Sequence, residues 1–315
     1  MKRFLALAAA LTLSSLPGDT CCAFSRGDIR QTRPIRLDQQ RAFLWHVKGQ
    51  EHMLLSVKYS GGTNEFAWVI PVQSRPTVSV EKGAPFTELR HLTEIVRPSL
   101  KNSMEGGAPG GAPPIQSVTV LERREEGPYD LAVLEASSGV GLYKWLKEND
   151  FHLSKDARGA LDYYVSRKFV FVAARIRNGA KGNQAVAQKL REGNIAPMHL
   201  TFKSPQMTYP LKVTSANPGS SELEIYVVGA NKPTDEILAN IPVGGRGSGS
   251  LTAQQFTMKP QGKTLFRISG PPGTAHAQGD FPTLRRLIPQ GGTLTKFTGE
   301  LDDSQRQHDL VFADL

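Results

Sequence analysis

Histidine is the residue type in this chain with the widest chemical use, because a neutral imidazole binds metal ions and exchanges protons near neutral pH. The sequence contains seven histidines, and none pairs with another at the spacing of metal ligands on a helix. His46 and His52 lie on neighbouring candidate strands and could approach each other across a hairpin. They lack a nearby carboxylate in the sequence that would complete a metal site. We therefore interpret both as surface or rim histidines and predict no metal site.

Nucleophile and phosphate-binding motifs are missing or incomplete. No serine stands in a Gly-x-Ser-x-Gly elbow, which excludes the α/β-hydrolase arrangement. Gly262-Lys263-Thr264 is similar to the end of a phosphate-binding loop, but Thr257 occupies the position where that loop needs a glycine. The glycine-rich segment 244–250 misses the dinucleotide-binding spacing because it ends in Ser250. We therefore predict no bound cofactor.

Residues Glu122 to Glu126 form a run of mixed charge, with three acidic and two basic side chains. Such a run is typical of a solvated hairpin end rather than of a pair of catalytic carboxylates. Asp130 begins a predicted strand just after Gly127-Pro128, where capping of the turn accounts for it. The sequence therefore identifies no catalytic residue, and we favour a protein that is not an enzyme.

The N-terminal segment has the order of a secretory signal peptide. Lys2 and Arg3 precede the apolar stretch Phe4 to Leu13, which is too short to span a bilayer. We predict that residues 1–23 are a signal peptide cleaved after Ala23. This cleavage would place the mature protein in the periplasm or outside the cell, with no transmembrane span.

Two adjacent cysteines, Cys21 and Cys22, are the only cysteines in the chain. Cleavage after Ala23 would remove both, and the mature protein could then not be a thiol enzyme. The alternative is that Cys21 or Cys22 is lipid-modified, which would anchor the protein to the outer surface of a membrane. The residues before them do not form the Leu-small-small run expected for lipidation, so we favour the cleaved form.

The composition is that of a folded globular protein. Apolar residues make up 39% and charged residues 21% of the 315 residues, which excludes intrinsic disorder and a membrane bundle. The formal net charge is +9, which would favour an anionic envelope polymer or a lipid surface as a partner. The basic residues are dispersed and lack interleaved aromatic residues, so we expect no specific nucleic-acid binding.

Hydrophobic periodicity predicts many strands and a few helices. Residues 65–72 are apolar on both faces, so we expect a strand covered on both sides with Trp68 in the core. At Pro71 the strand should either end or reach a sheet edge. Residues 169–174 have the same character and predict a central strand. The other predicted strands are 41–48, 52–59, 77–80, 117–123, 129–135, 198–203, 211–214, 223–228, 264–268 and 293–298; the predicted helices are 86–96, 140–146, 153–167 and 282–288.

These elements predict an α+β fold with mixed or mainly antiparallel sheets, a few packed helices and a β-rich C-terminal part. The order of motifs up to residue 228 resembles the bacterial domain of unknown function family 2330, whose members are uncharacterised exported proteins. The matching motifs are Val57-Lys58-Tyr59-Ser60-Gly61, Phe66-Ala67-Trp68-Val69-Ile70-Pro71-Val72, Gly127-Pro128-Tyr129-Asp130, Trp145-Leu146, Tyr163-Tyr164-Val165, Pro197-Met198-His199-Leu200-Thr201-Phe202 and Tyr209-Pro210-Leu211. The resemblance implies a domain at residues 24–228, followed by a β-rich extension at residues 229–315.

The matching residues are mainly aromatic residues, proline and glycine, which suit packing and turns better than chemistry. We therefore predict a non-catalytic envelope or secreted binding protein. The alternative is a hydrolase acting on an envelope polymer through carboxylates that the sequence does not identify. Clustered carboxylates or histidines in one cleft would favour the hydrolase, and an open groove would favour binding.

Overall fold

Alternating apolar residues build most of this protein into strands. The computed structural model describes residues 36–60, 67–94, 118–149, 151, 153, 157–176, 189, 192, 194–217, 219–229, 249–261, 264–271 and 280–312. The strands are β1 (Arg36–Val47), β2 (Gln50–Ser60), β3 (Ala67–Val72), β4 (Thr77–Val80), β5 (Val118–Glu126), β6 (Tyr129–Ala136), β7 (Val170–Ile176), β8 (Met198–Lys203), β9 (Met207–Tyr209), β10 (Ser221–Val228), β11 (Thr252–Gln261), β12 (Thr264–Ser269), β13 (Gly292–Leu301) and β14 (Leu310–Phe312). The α-helices are α1 (Pro85–Leu92), α2 (Gly139–Glu148), α3 (Ala157–Ser166) and α4 (Pro282–Leu287). The predicted α+β class is confirmed.

The larger sheet has eight strands in the order β12-β11-β13-β10-β1-β2-β8-β4. β1 and β10 run parallel, while the other neighbouring pairs are antiparallel. The turn between β1 and β2 places Lys48 at φ 52° and Gly49 at φ 78°. Two successive residues with positive φ fit the twist of a tight hairpin. The predicted hairpin is therefore confirmed at this position.

The smaller sheet has four strands in the order β3-β7-β6-β5. Every residue of β3 is buried, and Trp68 is only 6% exposed. Pro71 lies in β3 at the edge of this sheet, where its missing N–H costs no ladder hydrogen bond. β7 lies between β3 and β6, as the apolar run in its sequence predicts.

The two sheets pack on each other, and α2 and α3 cover the far side of the smaller sheet. Neighbouring residues of β5 show this layering, because side chains alternate across a strand. Arg123 lies over the Trp145 ring of α2, 5.8 Å from its centroid. Arg124 donates to the backbone oxygen of Val78 in β4, which belongs to the larger sheet. The main hydrophobic core accordingly joins both sheets and both helices.

The outer face of the larger sheet carries a second core under α1 and α4. Leu89 and Leu92 of α1 and Leu284 of α4 pack on Phe43 and Tyr226 of the sheet. Glu88 joins the two helices, since its carboxylate accepts hydrogen bonds from the first backbone N–H groups of α4, at 3.1 and 2.8 Å. A carboxylate is favourable at a helix N-terminus. The two helices therefore cover part of this face, while His52, His199 and Thr201 on the same face stay half-buried.

The C-terminal segment, residues 302–312, packs against residues 207–219. Its Arg306 is fully buried and donates hydrogen bonds to the backbone oxygens of Asp302, Thr214, Asn217 and Gly219. β14 then pairs with β9 in a separate two-stranded sheet. The segment is therefore held by backbone partners that are distant in sequence.

Most predicted elements are present, and one is wrong. Residues 211–214 were expected to be a strand, but Lys212–Ala216 form a 3₁₀ helix. The backbone oxygens of Thr214 in this helix and of Asn217 just after it both accept hydrogen bonds from the Arg306 guanidinium. An extended strand would not direct these two oxygens toward one side chain. β9, β11 and β14 were not predicted. The predicted signal peptide at residues 1–23 lies outside the described residues, as does most of the glycine-rich segment 244–250.

The predicted boundary at residue 229 falls between β10 and β11, and both strands belong to the larger sheet. β13 pairs with β10 over the whole length of β10, from Ser221 to Val228. The C-terminal residues thus add strands to the sheet that β1 and β2 begin. Within the described ranges, no helix combines the length and apolar character that crossing a membrane requires.

Candidate functional site

Four side chains from three neighbouring strands meet on the outer face of the larger sheet, and we call them the histidine face. They are Trp45 of β1, His52 of β2, and His199 and Thr201 of β8. Trp45 lies opposite His52 in the β1–β2 register, and His52 lies opposite Thr201 in the β2–β8 register. His199 is two residues before Thr201, so the alternation of β8 places both on the same face. The sheet therefore assembles the group from residues that are far apart in sequence.

The histidine face brings three polar atoms together. His52 Nδ1 and His199 Nε2 lie 3.2 Å apart. Thr201 Oγ1 lies 3.2 Å from His52 Nδ1 and 3.4 Å from His199 Nε2. The three atoms thus form a nearly equilateral triangle, and all three side chains are half-buried.

The Trp45 ring packs beside both imidazoles on the same sheet face. Its ring stacks on His52 with centroids 4.9 Å apart and an interplanar angle of 7°. His199 lies at 5.3 Å from the same ring in a tilted arrangement. Trp45 itself is only 4% exposed. A ligand on this face would therefore meet the imidazole edges rather than the indole.

The surroundings of the histidine face favour neutral imidazoles. Burial, and to a smaller extent the nearby His52, lower the pKa of His199 to about 4. Burial also lowers the pKa of His52, with a smaller effect from His46. At neutral pH both rings therefore keep a lone pair that can accept a proton or bind a metal ion.

An ion pair between a buried carboxylate and an exposed guanidinium lies beside the histidine face. Glu81 is 6% exposed; it pairs with Arg286 of α4 at 2.5 Å and accepts a hydrogen bond from the Gly83 N–H at 2.7 Å. Although burial raises the pKa of Glu81, the bonds from Arg286 and Gly83 outweigh this effect and lower it. Glu81 is therefore ionised, and its charge is largely balanced by Arg286.

A second polar group on the same sheet face consists of Arg41, Glu222, Glu224 and Lys296, and we call it the charged face. Glu224 pairs with Lys296 at 3.0 Å and accepts a hydrogen bond from the Tyr226 hydroxyl at 2.8 Å. Burial raises the pKa of Glu224, but Lys296 and these bonds outweigh burial and lower it. The pKa of Glu222 is raised, by burial first and then by the charge of Glu224. Two carboxylates on one strand thus differ in their tendency to hold a proton.

His46 and His52, which the sequence suggested could approach each other, point to opposite faces of the larger sheet. His46 is adjacent to Trp45 on β1, so its side chain points to the opposite face from Trp45 and His52. Its Nε2 lies 2.8 Å from the backbone oxygen of Ser204. The histidine that does meet His52 is His199, which sequence reasoning missed. The alternation of His199 and Thr201 in the predicted strand 198–203 signals one outward face, but the neighbour of that strand is not readable from the sequence.

The charged residues of the smaller sheet form surface ion pairs. Glu122 and Glu126 both pair with Arg124, at 2.7 and 2.9 Å, along the exposed edge strand β5. Charges on an edge strand protect it from pairing with other chains. Asp130 does not cap the turn as expected; it pairs across the sheet with Arg175 at 2.7 Å. Within the described ranges, no three histidine, cysteine or carboxylate side chains lie close enough together to hold a metal ion.

Comparison with known proteins gives one family match. The family described as "Uncharacterized protein conserved in bacteria (DUF2330)" matches residues 17–239, which is more than half of the chain. No curated protein matches the chain. The crystal structure of a mutated baculovirus P35 after caspase cleavage is similar at a TM-score of 0.41 and 10% identity, covering 88% of this chain and 100% of that one. A likeness at that level supports no conclusion about function.

Proposed function

The chain belongs to the bacterial family DUF2330, and we propose that it is an exported, non-catalytic binding protein whose ligand meets the histidine face. The observation that carries the proposal is the contact between His52 and His199, which lie 3.2 Å apart on the accessible side of a sheet. Half-buried polar groups that converge on a rigid element are typical of ligand sites.

The local chemistry favours binding over catalysis at this face. The hydrogen-bond partners that the structure gives His199 are His52 and Thr201, rather than a carboxylate that would orient it as a general base. Glu81, the acidic group whose charge acts on His199, is engaged by Arg286 and by the Gly83 N–H. The imidazoles are thus equipped to accept a ligand more than to relay a proton.

Export is the second part of the proposal. Its support is the basic start at Lys2 and Arg3 followed by the apolar stretch Phe4 to Leu13. The net charge of +9 suits an environment of anionic envelope polymers.

Capture from an envelope extract tests the binding function. The purified protein and a His52→Ala/His199→Ala double variant are immobilised, and the components that each retains are compared. We expect an envelope component that the wild type retains and the double variant loses. His91→Ala is the matched control, because His91 lies exposed on α1. Equal retention by wild type and double variant would contradict the proposal.

Hydrolysis of an envelope polymer is the second candidate function, and the charged face favours it. Glycosidases use two carboxyl groups whose pKa values are pushed apart by their surroundings. Glu222 and Glu224 show such opposite shifts, and alternate residues of a strand lie about 6.7 Å apart, near the separation found in inverting enzymes. Glu222→Gln should then abolish release of sugar fragments from isolated cell wall, while Glu135→Gln, a surface control, should not. Absence of any release by the wild type would exclude this function.

A further inference from the structure

The triangle of polar atoms on the histidine face has the dimensions of one face of a metal coordination sphere. Its edges measure 3.2, 3.2 and 3.4 Å between His52 Nδ1, His199 Nε2 and Thr201 Oγ1. Two nitrogens that each lie about 2.0–2.1 Å from a tetrahedral metal ion are about 3.3 Å apart. In a square-planar or octahedral arrangement, neighbouring ligands at the same bond length are about 2.9 Å apart. The observed separations lie close to the tetrahedral value.

The face is also rigid before any ligand arrives. His52 and His199 come from adjacent paired strands, although 147 residues separate them in sequence. The Trp45 ring stacks on His52 and restricts its rotation. A site built on paired strands and packed rings holds its ligands closer to the binding geometry than a loop does. Metal binding would therefore require little rearrangement.

The geometry points to a metal site: we infer that His52 Nδ1 and His199 Nε2 bind one divalent transition-metal ion of the kind that prefers imidazole, such as Zn²⁺, Ni²⁺ or Cu²⁺. This inference rests on the proposed binding function and names its ligand. Thr201 Oγ1 forms the third corner and either contacts the ion or orients a water bound to it.

The chemistry of the surrounding side chains agrees with this site. The ring nitrogens of His52 and His199 converge on one point beside Thr201 Oγ1, as the donor atoms of a metal site must. The positive charge of Arg286 is balanced by Glu81, so the neighbouring ion pair adds little net repulsion toward a cation. Two protein ligands leave coordination positions open, and a substrate or a second protein could fill them.

Calorimetric titration of the purified protein with Zn²⁺ tests the site. We expect one ion per chain. His52→Ala, His199→Ala and His199→Gln should each lower the affinity at least about tenfold, because even the loss of a residue that only supports a metal ligand lowers metal affinity by this factor. Thr201→Val should lower the Zn²⁺ affinity about tenfold or less. His91→Ala should bind as the wild type does. Circular dichroism and thermal midpoints confirm that each variant is folded. Zn²⁺ binding that is absent in the wild type, or unchanged in folded His199 variants, would overturn the inference.

Quenching of tryptophan fluorescence by Cu²⁺ locates the ion independently. Trp45 is one of three tryptophans and lies in contact with both histidines. Cu²⁺ should therefore quench the wild type, while Trp45→Phe, whose Zn²⁺ binding is measured by the same calorimetry, should lose the main quenching step. Quenching that persists in Trp45→Phe would place the ion elsewhere and overturn the assignment.

The two proposals fail in different ways. If the wild type binds no metal but still retains an envelope component through the histidine face, the metal site is wrong and the binding function stands. If Zn²⁺ binds through His52 and His199 but no envelope component is retained, the metal site stands without the wider binding function.

Discussion

The Tyr164 hydroxyl donates a hydrogen bond to Asp309 Oδ1 in the interior, where α3 meets the C-terminal segment. The same oxygen accepts a hydrogen bond from the Lys212 backbone N–H at 3.0 Å. Burial nevertheless raises the pKa of Asp309 to about 6, because these bonds only partly offset the loss of solvent. A charged Asp309 therefore destabilises the folded protein at neutral pH.

Asp309→Asn should stabilise the protein at neutral pH but not in acid. The folded pKa lies above the unfolded value of 3.8, so the stability from this carboxyl group is complete below about pH 3.8 and is lost as the pH rises to about 6. Removing the charge should add up to about 3 kcal/mol to the free energy of unfolding at about pH 8. Urea midpoints at about pH 4 and pH 8 measure the difference. Asp303→Asn, at an exposed position, serves as control; an equal gain at both pH values would argue against this account.

Arg306→Met and Arg306→Lys should both destabilise the protein strongly. Each removes a guanidinium that reaches the backbone oxygens of Asp302, Thr214, Asn217 and Gly219, and a lysine cannot reproduce this fork. Leaving several buried oxygens without this donor should cost about 3 kcal/mol or more. Thermal unfolding measures the loss. Arg285→Met on α4 is the control, and a small effect at Arg306 would show that the C-terminal segment is not needed for stability.

Trp68→Ala should lower the free energy of unfolding by about 3–5 kcal/mol through the cavity that it leaves. Trp68 is 6% exposed on a strand whose residues are all buried. The denaturant midpoint measures the change, provided that the slope of the transition stays constant. Trp145→Ala, at a half-buried position on α2, should cost less. An unchanged midpoint for Trp68→Ala would indicate that the residue is exposed in solution.

The exported protein should begin at Phe24. The prediction follows from the signal-peptide pattern that ends at Ala23. N-terminal sequencing of the protein recovered from the periplasm or the medium measures the start. A mature chain that begins at a lipid-modified Cys21 or Cys22 would contradict the prediction and place the protein on a membrane.

Binding to polyanions should be weak and sensitive to salt. The net charge of +9 is spread along the chain, and exposed charges are screened beyond about 8 Å at physiological ionic strength. Retention on heparin or lipopolysaccharide should therefore fall well below about 1 M salt. Retention that survives this salt would require a shaped site, and charge reversal at Arg285 and Arg286 would be the first test of its position.

The sequence predicts where individual strands lie better than it predicts which strands pair with each other. The apolar runs around Trp68 and Val170 identify buried strands because local alternation reports burial directly. His199 and Thr201 lie on one face of a predicted strand, yet their contact with His52 depends on which strand pairs with β8. Local periodicity does not encode that pairing. The 3₁₀ helix at 212–216 escaped prediction for a similar reason, since it is shaped around Arg306, about ninety residues later.

The parallel pairing of β1 with β10 has a consequence for the order of events during synthesis. β1 begins at Arg36, and its partner β10 ends at Val228, so the middle of the larger sheet cannot form until more than two thirds of the chain has left the ribosome. The larger sheet also requires β13, which pairs with β10 and ends only at Leu301. Contacts between such distant segments form slowly because a long loop must close first. The centre of the larger sheet is therefore completed late in synthesis, after all four strands of the smaller sheet have been made.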